Sequence, residues 1–376
     1  MTTRVLYIQF TAPGYYPPLQ HSSSILADQG CEIRFVGLGD ENGQSLLSFP
    51  PHENRDEILL PKLNSAPLTY ARFTATCFAQ ALKFRPDVVY ASAHTAAPVA
   101  LAIQKLTRIP VIYHEHDAPT PGHTKFQELC YRSRNLLANS CWRTVFPNLG
   151  RRDVAELQRE ALKRSLIVMN CPSLDDLRDN TISTDKSFTL YYHGSIVPIR
   201  VPMELIDALA RLPNEIILKF AGYETSDSTG YIGQLIARAE SLGIKHRIKY
   251  LGILQRNDAM LACSEATLGI SFMPTSTTDP NEIAMAGASN KAFDYLACGK
   301  PFLVNDLDDW HSVFGKFVAN LSCDPRSVES LEKTILWAFQ NGDKLRELGA
   351  QGRAMAKSEW NYEFQSKQLI TEILSL

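Results

Sequence analysis

Lys291 and Asp294 stand three residues apart in the stretch ASNKAFDYLACGKPFLV, residues 288–304. The order of residue types reads as a polar turn, a short helix from Lys291 to Cys298, a stop at Gly299 and a buried strand from Pro301 to Val304. Lys291 then sits in the first helical turn, where unpaired backbone N–H groups already favour an anion. Asp294 lies about one turn further along the same face. A cation and a carboxylate so placed would hold a diphosphate and a sugar hydroxyl side by side.

Other chemistry-bearing residues are spread along the chain. Arg200 follows the turn His193-Gly194-Ser195, and Gly222-Tyr223 and Leu251-Gly252-Ile253-Leu254 end apolar runs. In VIYHEHD, residues 111–117, alternation along a strand puts His114 and His116 on one side and Glu115 on the other. The loop TAPGYYPPLQ, residues 11–20, carries Gly14, Tyr15 and Tyr16, an aromatic set suited to stacking on a sugar or to plain packing. Residues 131–165 hold eight basic side chains against three acidic ones. That excess suits an anionic membrane surface or a phosphorylated acceptor, and a solvated helix face explains it more simply. Asp306-Leu307-Asp308 offers a metal-type D-x-D, but after a strand in the second half it reads as structural or as a loop bordering the ligand.

These residues need elements to position them. In the first half, strands at Val5–Phe10, Glu32–Gly37, Asp87–Ala91 and Val111–His116 alternate with helices at His21–Gln29, Leu68–Phe84 and Ala97–Leu106, with a loop at Pro13–Pro18. A second series starts near Ser187 and ends in helices over Val328–Gln340 and Asp343–Ser358, with an amphipathic segment Trp360–Leu376 last. Such alternation predicts parallel sheets covered by helices on both faces. Ligands bind beyond the carboxyl ends of such strands, so Thr11–Gln20, Ser92–Ala96 (with His94) and His114–Gly122 should share one rim. The polar stretch Asn170–Asp185 reads as the linker, and Pro274–Gly287 as the longest loop.

The bulk numbers agree with two domains. The chain has 376 residues, 45% hydrophobic and 21% charged, with a net charge of -2. That charge argues against nucleic-acid binding. Eight scattered cysteines fit a reducing compartment. The N-terminus lacks signal-peptide architecture and no apolar window is long enough to span a bilayer, so the expected location is cytoplasmic, with peripheral contact at the inner membrane face as an option.

The pattern S-x-K-x-x-D-Y-x-A-x-G-x-P, read from Ser289 to Pro301, resembles the nucleotide-sugar signature of family 4 glycosyltransferases. The resemblance extends over essentially the whole chain and is strongest over 188–304. It implies an α/β GT-B fold, two Rossmann-like domains facing each other across a cleft. Residues 1–170 would bind the acceptor and 171–358 the nucleotide sugar, and 359–376 would form a helix returning to the first domain. It also implies site roles. Arg200 takes the place of a lysine six residues after Gly194 that touches the donor phosphate. Arginine keeps that role with two parallel hydrogen bonds. With Lys291 it would stabilise the departing diphosphate, while Asp294 orients the ribose. Gly194, Ser195, Tyr223, Gly252, Ile253, Leu254 and Asn290 would line the donor. His116 would face the reacting sugar, and Gly14, Tyr15, Tyr16, His94, His114 and Asp117 the acceptor. Asn148 and Arg151 resemble a P-N-x-x-R feature of some relatives. Many members carry a glutamate eight residues before the position of Asp294. Here that place holds Ala286, and Glu282 is the nearest upstream carboxylate.

The implied activity is transfer of a sugar, with retention, from a nucleotide donor, UDP-linked by family frequency, to a glycan, lipid-linked saccharide or small molecule. No metal or other cofactor is expected, and domain closure would exclude water. Two alternatives stay open: a GT-B binding partner without catalysis, motivated by Ala286, and a nucleotide-sugar epimerase.

Overall fold

The computed structural model describes residues 2–40, 42–44, 48–117, 122, 124–178, 187–274, 277 and 279–376. Parts of three stretches read from the sequence lie outside the described residues: 179–185 of the linker, 118–121 of the third rim loop, and 275, 276 and 278 of the long loop. The chain divides into two compact units, one of residues 1–170, 279–284 and 362–376, the other of 171–278 and 285–361.

The first unit holds seven strands: β1 (Arg4–Gln9), β2 (Glu32–Leu38), β3 (Arg55–Leu60), β4 (Val88–Ser92), β5 (Val111–His114), β6 (Arg143–Phe146) and β7 (Ser165–Ile167). They pair in parallel in the order β3-β2-β1-β4-β5-β6-β7. Leu6, Ile8, Val36 and Val89 fill one face and Val5, Tyr7, Ile33 and Tyr90 the other. Strands apolar on both faces are what a helix-covered parallel sheet requires. Strand order reverses between β1 and β4, which opens a crevice at their carboxyl ends.

The second unit repeats the plan with β8 (Phe188–Ser195), β9 (Ile216–Tyr223), β10 (Ile248–Tyr250), β11 (Leu268–Ser271), β12 (Phe302–Asn305) and β13 (Ser322–Cys323). Their order is β10-β9-β8-β11-β12-β13, again parallel, with the reversal between β8 and β11. The architecture is the expected α/β pair of Rossmann-like halves.

Three differences from the sequence reading have physical causes. The first helix runs Pro17–Asp28, four residues earlier than read. Its two prolines occupy the first turn, where a missing N–H costs nothing. β3, RDEILL, lies at the sheet edge, and its charged half hides the apolar run from a pattern search. The helix Asp308–Val318 begins inside the D-x-D, with Asp308 and Asp309 in its first turn, where carboxylates suit the helix dipole. Asp306 pairs with His311 at 2.7 Å.

The last helix, Tyr362–Leu374, belongs to the first unit. Tyr362 packs on His21 with ring centroids 5.4 Å apart, and Glu372 accepts from Arg143 Nε at 2.6 Å. Trp360, read as its first residue, instead packs in the second unit on Phe293, Phe314 and Phe317. All eight cysteines are buried, and none is in a disulfide. Among the described residues no helix is long and apolar enough to cross a membrane.

Candidate active site

At the carboxyl edge of the second sheet, Gly194 of β8 lies opposite Gly222 of β9. Their φ angles are 125° and 137°, which L side chains rarely adopt. A Cβ on Gly222 would fall 1.7 Å from the Gly194 carbonyl oxygen, and one on Gly194 would fall 2.7 Å from Lys291 Cε. The two strand ends are thus bare backbone, and Lys291 lies over Gly194. Its ammonium is 5.7 Å from the centre of the Tyr192 ring. Burial and the positive charge of Arg200 push the Lys291 pKa down to about 7.

Arg200 reaches the same edge from the turn after β8. It is buried, its Nη1 donates to the Phe272 carbonyl at 3.1 Å, and it touches the Met273 sulfur. Asn305 holds the Met273 backbone on both sides, accepting from its N–H at 2.7 Å and donating to its carbonyl at 2.5 Å. Two cations at one strand edge, one already reluctant to hold its proton, make a place that an anion would stabilise. Asn290 opens the helix Asn290–Ala297 beside Lys291, and its Oδ1 is buried without a hydrogen-bond partner among the described residues.

Asp294, on the same helix, is fully buried. Both its oxygens accept from Arg256, at 2.7 Å each, and Oδ2 is also 3.0 Å from His193 Nε2. Burial alone would raise its pKa, but Arg256 and His193 outweigh it and hold the carboxyl well below the usual range. Arg256 in turn donates to Asp176 from Nη2 at 2.9 Å. Sequence reasoning singled out Asp294 alone and missed Arg256, Asp176 and His193. One signal was available: Arg256 opens the helix Arg256–Ser264, where a cation opposes the dipole unless carboxylates hold it.

Beside this cluster, the ends of β9 and β10 form an apolar shelf. Tyr223 is 37% exposed and Ile253 60%. The Gly222 N–H donates to the Gly252 carbonyl at 2.9 Å, and Tyr250 Oη donates to the Gly222 carbonyl at 2.8 Å. Leu254 lies in the turn after β10, and Ser195 ends β8. Ala286 is buried, and its N–H donates to Asp309 Oδ2 at 3.3 Å.

In the first unit, Tyr16, His114 and His116 form one stack. Tyr16 and His116 lie 4.2 Å apart at 11°, and His116 and His114 4.0 Å apart at 33°. β5 ends at His114, two residues sooner than read, yet both imidazoles stay on one side. Glu115 points the other way, into a buried pair with Arg134, whose Nη2 lies 2.6 Å from Oε1. Tyr16 Oη donates to Asp117 Oδ2 at 2.9 Å, and Tyr90 Oη is 2.7 Å from His114 Nδ1. Burial keeps His94, His114 and His116 neutral, with the His114 pKa down to about 3. Neither His116 nitrogen has a hydrogen-bond partner among the described residues. Neutral imidazoles of this kind bind hydroxyls rather than anions. Ala93, just before His94, takes φ 63° and ψ 163°, a region essentially reserved for glycine. Tyr15 is exposed at 48% and Gly14 lies in the turn Pro13–Tyr15.

Asn148 and Arg151 hold the segment 279–284. Asn148 Nδ2 donates to the Ala284 carbonyl at 3.0 Å and Arg151 Nε to the same oxygen at 3.2 Å, and Arg151 also grips Asn281. The basic stretch spends much of its charge internally. Arg132, Arg134, Arg143, Arg152 and Lys163 each pair with a carboxylate.

Residues 19–149 match the model of the glycosyl transferase 4-like domain, and residues 175–355 that of glycosyl transferases group 1. Among curated proteins none matches the sequence significantly. Solved structures share the fold. HepE of Anabaena, in complex with UDP and glucose, superposes with a TM-score of 0.74 at 16% identity, covering 100% of each chain. Sucrose-phosphate synthase of Thermosynechococcus elongatus gives 0.73 at 13% over 99% of each. An E. coli structure described as trehalose-6-phosphate bound with UDP-2-fluoro glucose gives 0.68 at 12%, over 100% of this chain and 99% of that one. With two family models spanning most of its length and this fold, the chain belongs to the family 4-type glycosyltransferases of GT-B fold.

Proposed function

We propose that this glycosyltransferase moves a sugar, with retention, from a nucleotide-sugar donor, a UDP-sugar first of all, to a hydroxyl of a glycan or lipid-linked acceptor. The observation that carries this reading is Lys291 lying across Gly194 beside Arg200. Cations on bare backbone let a diphosphate approach closely, and charge develops on that diphosphate as the bond to the sugar breaks. Fixed charges aimed at that developing charge usually contribute more to the rate than any other feature of such a site. The sugar C1–O bond to phosphate breaks, the acceptor oxygen bonds to C1 from the same face, and the acceptor proton passes to a phosphate oxygen. No protein base is then required. The exposed shelf of Tyr223 and Ile253 suits a flat nucleobase, and neutral His116 a sugar hydroxyl. Asp294 serves here by holding Arg256 and His193 rather than by touching the ribose itself. We assign the leaving-group role to Lys291 and Arg200 and propose that no metal is needed.

A binding-only role draws on Ala286, which leaves no carboxylate at that position. One experiment separates the two. Purified protein is incubated with UDP-, GDP-, ADP- and CDP-sugars, with and without EDTA, and anomers are followed by NMR. Release of nucleoside diphosphate with an unchanged anomeric configuration, insensitive to EDTA, supports the proposal. No turnover of any donor, with nucleotide still bound, supports the binding-only reading.

A further inference from the structure

We infer that His193 Nδ1 accepts a hydrogen bond from a ribose hydroxyl of the bound nucleotide, with Asp294 and Arg256 as the residues that position it. The inference rests on the donor-site reading above and adds to it the group that recognises the ribose.

Because Asp294 is ionised and accepts at 3.0 Å, His193 Nε2 must carry the proton. Nδ1 is then a bare lone pair. It is buried and has no partner among the described residues, a state that native structures rarely leave unfilled. The ring cannot swing to find one. It is stacked on Tyr191 at 5.5 Å and 25° and meets Tyr295 edge-on at 5.4 Å and 79°. Its side chain as a whole is 14% exposed. Burial keeps the imidazole neutral even though Asp294 pulls the other way, so the lone pair persists through physiological pH.

Sheet order identifies what arrives there. Neighbouring strands run β10-β9-β8-β11. The apolar shelf for a base lies at β9 and β10, and the cations lie where β8 meets β11. The part of a nucleoside diphosphate between base and phosphates is the ribose, and β8 lies between those two places. His193 is a β8 residue directly preceding Gly194. Asp294 engages Arg256 through both oxygens and His193 through Oδ2, and through that second contact it sets the orientation of the imidazole.

The test compares binding of UDP, 2′-deoxy-UDP and 3′-deoxy-UDP to the wild type, His193→Phe and His193→Gln by calorimetry, with thermal melts of each. The wild type should bind UDP about five- to tenfold tighter than at least one deoxy form, the worth of one hydrogen bond. His193→Phe should erase that difference while still binding nucleotide. His193→Gln, which keeps an acceptor, should retain part of it. A purely structural role would weaken all three ligands equally and leave the ratio unchanged. Equal wild-type affinity for all three, or an unchanged ratio in His193→Phe, overturns the assignment while leaving the donor site standing. Failure of the wild type to bind UDP, GDP, ADP or CDP overturns the donor site and this inference with it.

Discussion

Lys291 lies over Gly194 so closely that a Cβ at position 194 would come within 2.7 Å of Lys291 Cε. The glycine is therefore part of the cation's seat. Its φ of 125° adds a second reason for having no side chain.

Gly194→Ala should displace Lys291 and strain the turn. The expected loss is about 1–3 kcal/mol of stability and about tenfold or more in nucleotide affinity. Chemical denaturation and calorimetry measure the two. Affinity unchanged in a folded Gly194→Ala protein contradicts the seating role.

The depressed pKa of Lys291 makes nucleotide binding depend on pH. In the free protein the group titrates near 7, so above that pH it is mostly neutral. A bound diphosphate favours the charged form and raises the pKa, so binding takes up a proton. Affinity should then fall by about tenfold per pH unit as pH rises above 7, with uptake of about one proton at pH 8. Calorimetry in buffers of different ionisation enthalpy counts that proton. Lys291→Met should abolish the uptake, and a wild type that binds without it argues against a buried, neutral Lys291.

The Asp294–Arg256–Asp176 cluster should couple strongly. Arg256→Met leaves two buried carboxylates without their cation and should cost about 3–5 kcal/mol. Combined with Asp294→Leu, the loss should be smaller than the sum by about 1–3 kcal/mol. A double-mutant cycle of urea melts reads this, and simple additivity would mean the contacts carry no interaction energy.

Ala93 stores strain beside His94. Ala93→Gly allows the same φ and ψ without a Cβ and should raise stability by about 1 kcal/mol. A thermal melt showing a loss instead would mean that the alanine methyl contributes more by packing than the backbone costs.

Much of this site is legible in the sequence. The Lys291 helix, the glycine turn at 194 and the histidines of the first sheet each announce themselves through residue type against a strand or helix boundary. What stayed hidden follows from partners distant in sequence. Arg256 is 38 residues from Asp294, and Asp176 is 80 residues from Arg256. No local pattern links them, so the spacing suggested a carboxylate facing its ligand where the fold closes an ion pair. Charged edge strand β3 and the proline-started first helix escaped because each breaks the usual pattern at a position where the fold tolerates it.

Whether a nucleotide diphosphate is held at the edge of β8 and β11 is read by calorimetric titration of UDP, GDP, ADP and CDP into the wild type, Lys291→Ala and Arg200→Ala, each with EDTA. The expected result is selective binding of one nucleotide, UDP foremost, weakened about 10- to 1,000-fold in both variants while their melts stay near wild type. Wild-type affinity retained in both folded variants would contradict it.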